Sequence, residues 1–409
     1  MRRKYRLTLP LLLLTAALLA FVGCQPAASG SSVSAPAVRY PDGVYRGFFN
    51  DRSIEQLSVE FTMKDQAFES IEFRAINYKD GDYLSEDATE IQRQVAAQYR
   101  EATDYLTGRT VTALFDLLRP TALVRDMDAV TSATLNTGKL ASALQDGLNR
   151  GVFKPTETTL FLPIPAYPDG IYRGFYNEGG IEQISVEFEY RDGRFISFAY
   201  RGLKDRTGDH LAQQLTPRQQ QIADQYREAT SYLVGKTPEA LWALYHPAGI
   251  ISDKDAVTGA TLPANKLISA VQDGLNRGVY RPTATTVFSD PPSYPDGYYR
   301  GFYPESGAEQ ISLHFKVQNN RFVSIRFRAL TYDGIDYLTV EGKPEQVSDQ
   351  YREAADYLIG KELSAMWDLY DPSGLVSDKD AVTGATLRTG KFLSALQDGL
   401  NRGLYDIAQ

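Results

Sequence analysis

Cysteine is all but missing from this chain: Cys24 is the only one in 409 residues. That count excludes disulfides, cysteine-ligated zinc and iron–sulfur clusters. Histidine is nearly as scarce, and His210, His246 and His314 show no common spacing. A haem or histidine–metal centre is therefore not expected, and all three read as solvated side chains. The one long apolar run, Leu7 to Val22, is interrupted by Pro10 and falls short of the roughly 20 apolar residues of a membrane-spanning helix. Basic charge is also in deficit. Residues 1 to 23 hold four basic and no acidic side chains, so the remainder carries 39 basic against 51 acidic, a net of −12. Nucleic acid is not expected as a partner.

What is present starts at the N-terminus, where Arg2, Arg3, Lys4 and Arg6 precede the apolar run and small Gly23 ends it. Residues 1–23 thus have the layout of a signal peptide. The ending Ala20-Phe21-Val22-Gly23-Cys24 resembles the lipobox of bacterial lipoprotein signals. The resemblance implies acylation of Cys24 and anchoring to the cell membrane on its extracytoplasmic face, where several acyl chains hold more firmly than one. A simple secretory signal cut nearby is the alternative. Residues 24–38, small and polar, read as a flexible tether.

An internal repeat then sets the architecture: YPDGVYRGFF at Tyr40 returns as YPDGIYRGFY at Tyr167 and YPDGYYRGFY at Tyr294, a spacing of 127 residues. A period this long is a whole domain rather than a solenoid unit, and it divides the chain into 39–154, 166–282 and 293–409. Pro155, Pro163 and Pro165 lie in the first join, with Pro282, Pro291 and Pro292 in the second. Semi-rigid spacing of independently folding domains is expected. Within each copy, Leu57, Val59, Phe61 and their counterparts Ile184, Val186, Phe188 and Ile311, Leu313, Phe315 alternate like a half-buried strand. Turns at Lys64-Asp65-Gln66, Arg191-Asp192-Gly193 and Gln318-Asn319-Asn320 predict antiparallel hairpins into strands starting near Phe68, Phe195 and Phe322. QYREATDYL, QYREATSYL and QYREAADYL change to a helical period, which Gly108, Gly235 and Gly360 stop. A last helix follows with Leu140, Leu144 and Leu148, then Leu267, Val271 and Leu275, then Phe392, Leu396 and Leu400 on one face. The fold class is α+β: three tandem copies of a small domain of antiparallel sheet plus helices.

Between the two helical stretches stand DAVTSATL from Asp128, DAVTGATL from Asp255 and DAVTGATL from Asp380. The strand region from Glu189 to Thr216 diverges strongly from its counterparts while this small-residue loop barely changes, so something local restricts it. Thr131, Thr258 and Thr383 fit helix N-caps, with Gly259 and Gly384 as permissive turn residues; that leaves the second threonine unexplained. The segment resembles the motif of the FMN-binding domain family, which includes the flavin-bearing C subunit of the sodium-pumping NADH:quinone reductase, the G subunit of Rnf complexes and multi-domain surface flavoproteins. In that family a dedicated flavin transferase couples FMN to the motif's last threonine through a phosphoester. The resemblance implies attachment at Thr134, Thr261 and Thr386, with Asp128, Asp255 and Asp380 opening the motif. Ser132, Ala133, Ala260 and Ala385 complete it, Ser132 replacing the Gly259 and Gly384 of the other copies. A phosphoester at the start of a helix meets free backbone N–H groups at the positive end of the dipole. Nothing nearby activates the threonine hydroxyl, so the transferase is an obligatory partner.

The expected function is an electron-carrying envelope lipoprotein with up to three covalent FMN groups, working between a membrane redox donor and an external acceptor, rather than an enzyme converting a substrate. A repeat lipoprotein acting as a surface binding module without flavin, and an extracellular flavin reductase of a small molecule, are the rival readings. The chain's acidity should lower the flavin potential. Arg74, Arg201 and Arg328 recur at one strand position and read first as salt-bridging residues. Tyr45, Tyr172 and Tyr299 read first as core.

Overall fold

The computed structural model describes residues 39–119, 123, 136–252, 263–376 and 388–407. The described chain is mixed α+β with three antiparallel sheets. The first is a meander of Gly43–Asp51, Ile54–Lys64, Ala67–Tyr78 and the short Gly81–Asp82. The second (Gly170–Glu178, Ile181–Arg191, Arg194–Asp205) and third (Gly297–Glu305, Ala308–Gln318, Arg321–Tyr332) keep the same order. Their register is also shared: Gly43 faces Met63, Gly170 faces Tyr190 and Gly297 faces Val317. The expected hairpin turns form with both central residues at positive φ, as at Asp65 (49°) and Gln66 (67°) or Asn319 (49°) and Asn320 (57°). That backbone twist matches the flanking strands.

Each sheet is followed by a first helix: Glu90–Leu106, Pro217–Leu233 or Lys343–Leu358. Thr89 and Thr216 cap the first two in reciprocal boxes with Gln92 and Gln219. The glycines expected to stop these helices sit two residues past the last helical one at φ near +80°. A 3-10 segment comes next (Val111–Leu118, Pro238–Tyr245, Leu363–Tyr370), then the last helix: Thr137–Arg150, Ala264–Asn276 or Thr389–Asn401. The apolar face of the last helix is buried as the spacing requires. This helix lies directly on the opening strand because glycines meet there. A Cβ on Gly47 would stand 2.0 Å from the Ala143 carbonyl and 2.4 Å from the Gly147 nitrogen, and Gly174 and Gly301 are equally tight against Gly274 and Gly399.

The joins are not spacers, and this differs from the sequence expectation. Residues 40–409 form one compact unit. In the first join Phe161 stacks on Trp242 and Tyr245 at 4.7 and 5.2 Å; in the second Phe288 stacks on Trp367 and Tyr370 at 4.7 and 4.9 Å. The repeats also close on one another in a cycle. Phe153 stacks on Tyr176, Tyr280 on Tyr303, and Tyr405 from the third repeat on Phe49 of the first, at 5.8, 5.9 and 5.8 Å. At the centre, Arg150 donates to Asp146 and Asp273, Arg277 pairs with Asp273 and Asp398, and Arg402 with Asp398 and Asp146, all at 2.8–3.0 Å. The three guanidiniums also donate to the carbonyls of Phe175, Phe302 and Phe48 in the neighbouring repeats. Each arginine is at most 2% exposed. Burial pushes the Asp146 carboxyl up, but Arg150 and Arg402 outweigh it and hold it below its ordinary value.

Candidate functional site

The motif residues Asp128, Thr131, Ser132, Ala133 and Thr134 lie outside the described residues. So do Asp255, Thr258, Gly259, Ala260 and Thr261, and Asp380, Thr383, Gly384, Ala385 and Thr386. Cys24 and the tether lie outside them as well. The described chain resumes two residues after each final threonine, at Asn136, Pro263 and Arg388. These open the last helices. At Asn136 and Arg388 the backbone carbonyl accepts from the hydroxyl of Tyr99 or Tyr351, each at 3.4 Å. The Thr137 hydroxyl donates to the Leu117 carbonyl and so ties the start of its helix to the 3-10 segment.

Here every repeat has a cavity built from the same positions. The first, of about 720 Å³, is lined by Gln56, Tyr78, Asn136 and Lys139. The second, of about 450 Å³, is lined by Gln183, Asp205 and Lys266. The third, of about 190 Å³, is lined by Gln310, Tyr332, Arg388 and Lys391. One lysine from the first turn of the last helix enters each. Lys266 Nζ lies 2.5 Å from Glu178 and 2.6 Å from Gln183. Lys391 binds Glu305 and Gln310. Lys139 sits over the Tyr78 ring, 4.6 Å from its centroid. Burial lowers Lys391 to about 8 despite Glu305, and lowers Lys139 to about 8 with Arg300 and Arg328 adding to the effect. Burial pushes Glu178 up, but Lys266, Arg46 and Arg74 overcome it and keep the carboxyl below its ordinary value.

The first and second cavities are lined in part by the preceding repeat in the cycle, and at all three junctions an arginine crosses between repeats. Arg74 reaches Glu178, Arg201 reaches Glu305 at 2.6 Å, and Arg328 reaches Asp51 at 2.9 Å. The recurrent strand arginines are therefore salt-bridging residues, with partners in the next repeat. Tyr45, Tyr172 and Tyr299 are fully buried, stack on Phe61, Phe188 and Phe315, and donate to the carbonyls of Pro41, Pro168 and Pro295. They are core. The expectation of three solvated histidines holds only for His246. His210 is buried with Nε2 3.1 Å from Asp205, because it occupies the aromatic position held by buried Tyr83 and half-buried Tyr337. His314 is half-buried, and burial together with Arg300, Arg328 and Arg326 lowers it to about 4.

Sequence reasoning passed over Lys139, Lys266 and Lys391, although a lysine recurs in all three copies at this position alone. It also passed over the central ring, whose signal is the identical QDGLNRG at Gln145, Gln272 and Gln397. Asp146, Asp273 and Asp398 cluster closely enough for a metal site among the described residues. Every one of them, however, is paired to two arginines and accepts a backbone N–H, so the six charges cancel. Among the described residues no helix is long and apolar enough to cross a membrane. No family model, no curated protein and no solved structure matches the chain.

Proposed function

We propose that this chain is a membrane-anchored, extracytoplasmic flavoprotein that carries covalent FMN on Thr134, Thr261 and Thr386 and relays electrons between a membrane donor and an external acceptor. The observation that carries the reading is the threefold motif running into a helix whose first turn presents a lysine to a cavity. The side chains there suit the group. A buried ammonium complements a phosphoester, and Tyr78, Tyr83, Tyr332 and Tyr337 offer aromatic faces to a flat ring. The second cavity has Asp205 where the others have Tyr78 and Tyr332, so its fit to the ring is the poorest. Bound FMN would supply the one- and two-electron redox chemistry. The protein's part is to hold the phosphate at the start of the last helix, with Lys139 free to pair with it at the first cavity while Lys266 and Lys391 stay on Glu178 and Glu305, to limit access of water and to set the charge around the flavin. That charge is locally cationic at the first cavity, in contrast to the acidity of the whole chain, so a flavin there is raised in potential rather than lowered.

The test is intact mass of the full chain made with and without a flavin transferase. Up to three FMN additions are expected, and Thr134→Ala, Thr261→Ala and Thr386→Ala should each remove one. No mass gain with active transferase, or flavin mapped to Thr131, Thr258 or Thr383, overturns the assignment.

A further inference from the structure

We propose that the cavity where the third repeat meets the first binds a phosphate-class oxyanion through Lys139, Arg300 and Arg328, and that the two equivalent junctions do not. At the other junctions the cations are consumed internally. Glu178 takes Lys266, Arg46 and Arg74, and Glu305 takes Lys391, Arg173 and Arg201. Arg46 and Arg173 also place Nε on Glu60 and Glu187 at 2.6 and 2.7 Å.

The closing junction lacks one of these acceptors and shortens the other. Residue 51 is Asp, one methylene shorter than Glu178 and Glu305, and its carboxylate serves Arg328 at 2.9 Å and Arg300 at 3.6 Å. Lys139 is 8% exposed and, among the described residues, has no ion pair. Gln56 Oε1, whose counterparts accept from Lys266 and Lys391, has no partner either. His314 stands where Glu60 and Glu187 stand, and the Nε atoms of Arg300 and Arg328 are buried without an acceptor. The buried carboxylate Glu309 does not alter the contrast, since Glu55 and Glu182 repeat it at the other junctions. Lys139, Arg300 and Arg328 all line the one cavity of about 720 Å³. Buried cations without acceptors are unfavourable, and an oxyanion with several acceptor oxygens satisfies all three donors at once.

The experiment is calorimetric titration of inorganic phosphate into the full chain made without a flavin transferase. One site per chain is expected. Lys139→Gln should weaken it at least about tenfold, the effect of one lost hydrogen bond to a charged group, while Lys266→Gln should leave it unchanged. Asp51→Glu gives residue 51 the reach of Glu178 and should also weaken it. Chain carrying flavin on Thr134 then separates the sources: lost phosphate binding assigns the site to the tethered phosphoester, and retained binding assigns it to a free anion. No phosphate binding, or binding that Lys139→Gln leaves intact, overturns the proposal. The result does not depend on whether flavin attaches at all.

Discussion

Removing one carboxylate from the central ring should destabilise the whole chain, not one third of it. Asp273 accepts from Arg150 Nη2 at 2.8 Å, Arg277 Nε at 2.8 Å and the Phe175 N–H at 2.9 Å, and it is 4% exposed. Asp273→Asn keeps the shape but leaves two buried guanidiniums facing an uncharged amide, one of whose sides is itself a donor. Breaking a buried pair in this way costs about 3–5 kcal/mol, against a total stability on the order of 5–15 kcal/mol. With a urea slope of about 3 kcal/mol per molar, the midpoint should fall by about 1 M or more. Asp146→Asn and Asp398→Asn should give the same loss, because their partners are arranged alike. The wild type should unfold in a single transition. Pairing Asp273→Asn with Arg150→Met should cost less than the sum of the two, since the double variant removes one stranded cation. A shift below about 1 kcal/mol, or three separate unfolding steps, would refute the idea that the ring couples the repeats. On the same reasoning the fragment 293–409 should not fold alone. It would strand Asp398 without Arg277, and Arg402 without Asp146 or the Phe48 carbonyl.

Gly174→Ala should prevent the last helix from seating on its strand, since the new Cβ would meet the Ala270 carbonyl at 1.9 Å; a loss of at least about 3 kcal/mol in urea unfolding is expected, and no loss would contradict the close approach. Cys24→Ala should abolish fatty-acid labelling and membrane retention, and continued labelling would refute lipidation at that residue. Sulfate, which keeps its charge across the range, should bind the closing junction best below pH 8 and progressively less as the pH rises through about 8, where Lys139 loses its proton. The neighbouring Tyr78 and Tyr405 are raised by burial, so neither mimics that step. The same depressed lysine makes the fold less stable below pH 8, and the penalty is relieved as pH rises from there toward the ordinary lysine value.

The hairpins and both helices of each repeat were legible because their signals are local. Alternation at Leu57, Val59 and Phe61, turn residues such as Asp192-Gly193, and the i, i+4 spacing of Leu140, Leu144 and Leu148 depend only on near neighbours in sequence. The closed arrangement was not legible, because a charge pattern on a helix does not say which repeat holds its partner. Arg150 and Asp146 look like an ordinary i, i+4 pair on a solvated face, yet both are buried against another repeat. The cavity lysines were hidden differently: Lys139 sits just past the motif, so the uniformity around it reads equally as the setting of the threonine. His210 misled because a lone histidine in a divergent stretch carries no pattern, and only the alignment with Tyr83 and Tyr337 shows that its position faces inward.

The pattern of identity among the repeats follows from closure. Where a residue contributes to the cycle, each copy must offer the same donor and acceptor to its neighbour, since one mismatch strands a buried charge in two repeats at once. Asp146, Gly147, Asn149 and Arg150 meet that condition, down to Asn149, Asn276 and Asn401 each donating to the backbone carbonyl of its counterpart in the preceding repeat. The cavities carry no such obligation, because each is lined by its own repeat and at most one neighbour. They can therefore diverge, and they do: Tyr78 against Asp205, Asp51 against Glu178, His314 against Glu187. Fusing three copies into one chain is what allows this, since three identical chains would have to carry identical sites. A closed single chain keeps the hub uniform while giving each site its own charge, and the closing junction, with its surplus of cations, is where that freedom has gone furthest.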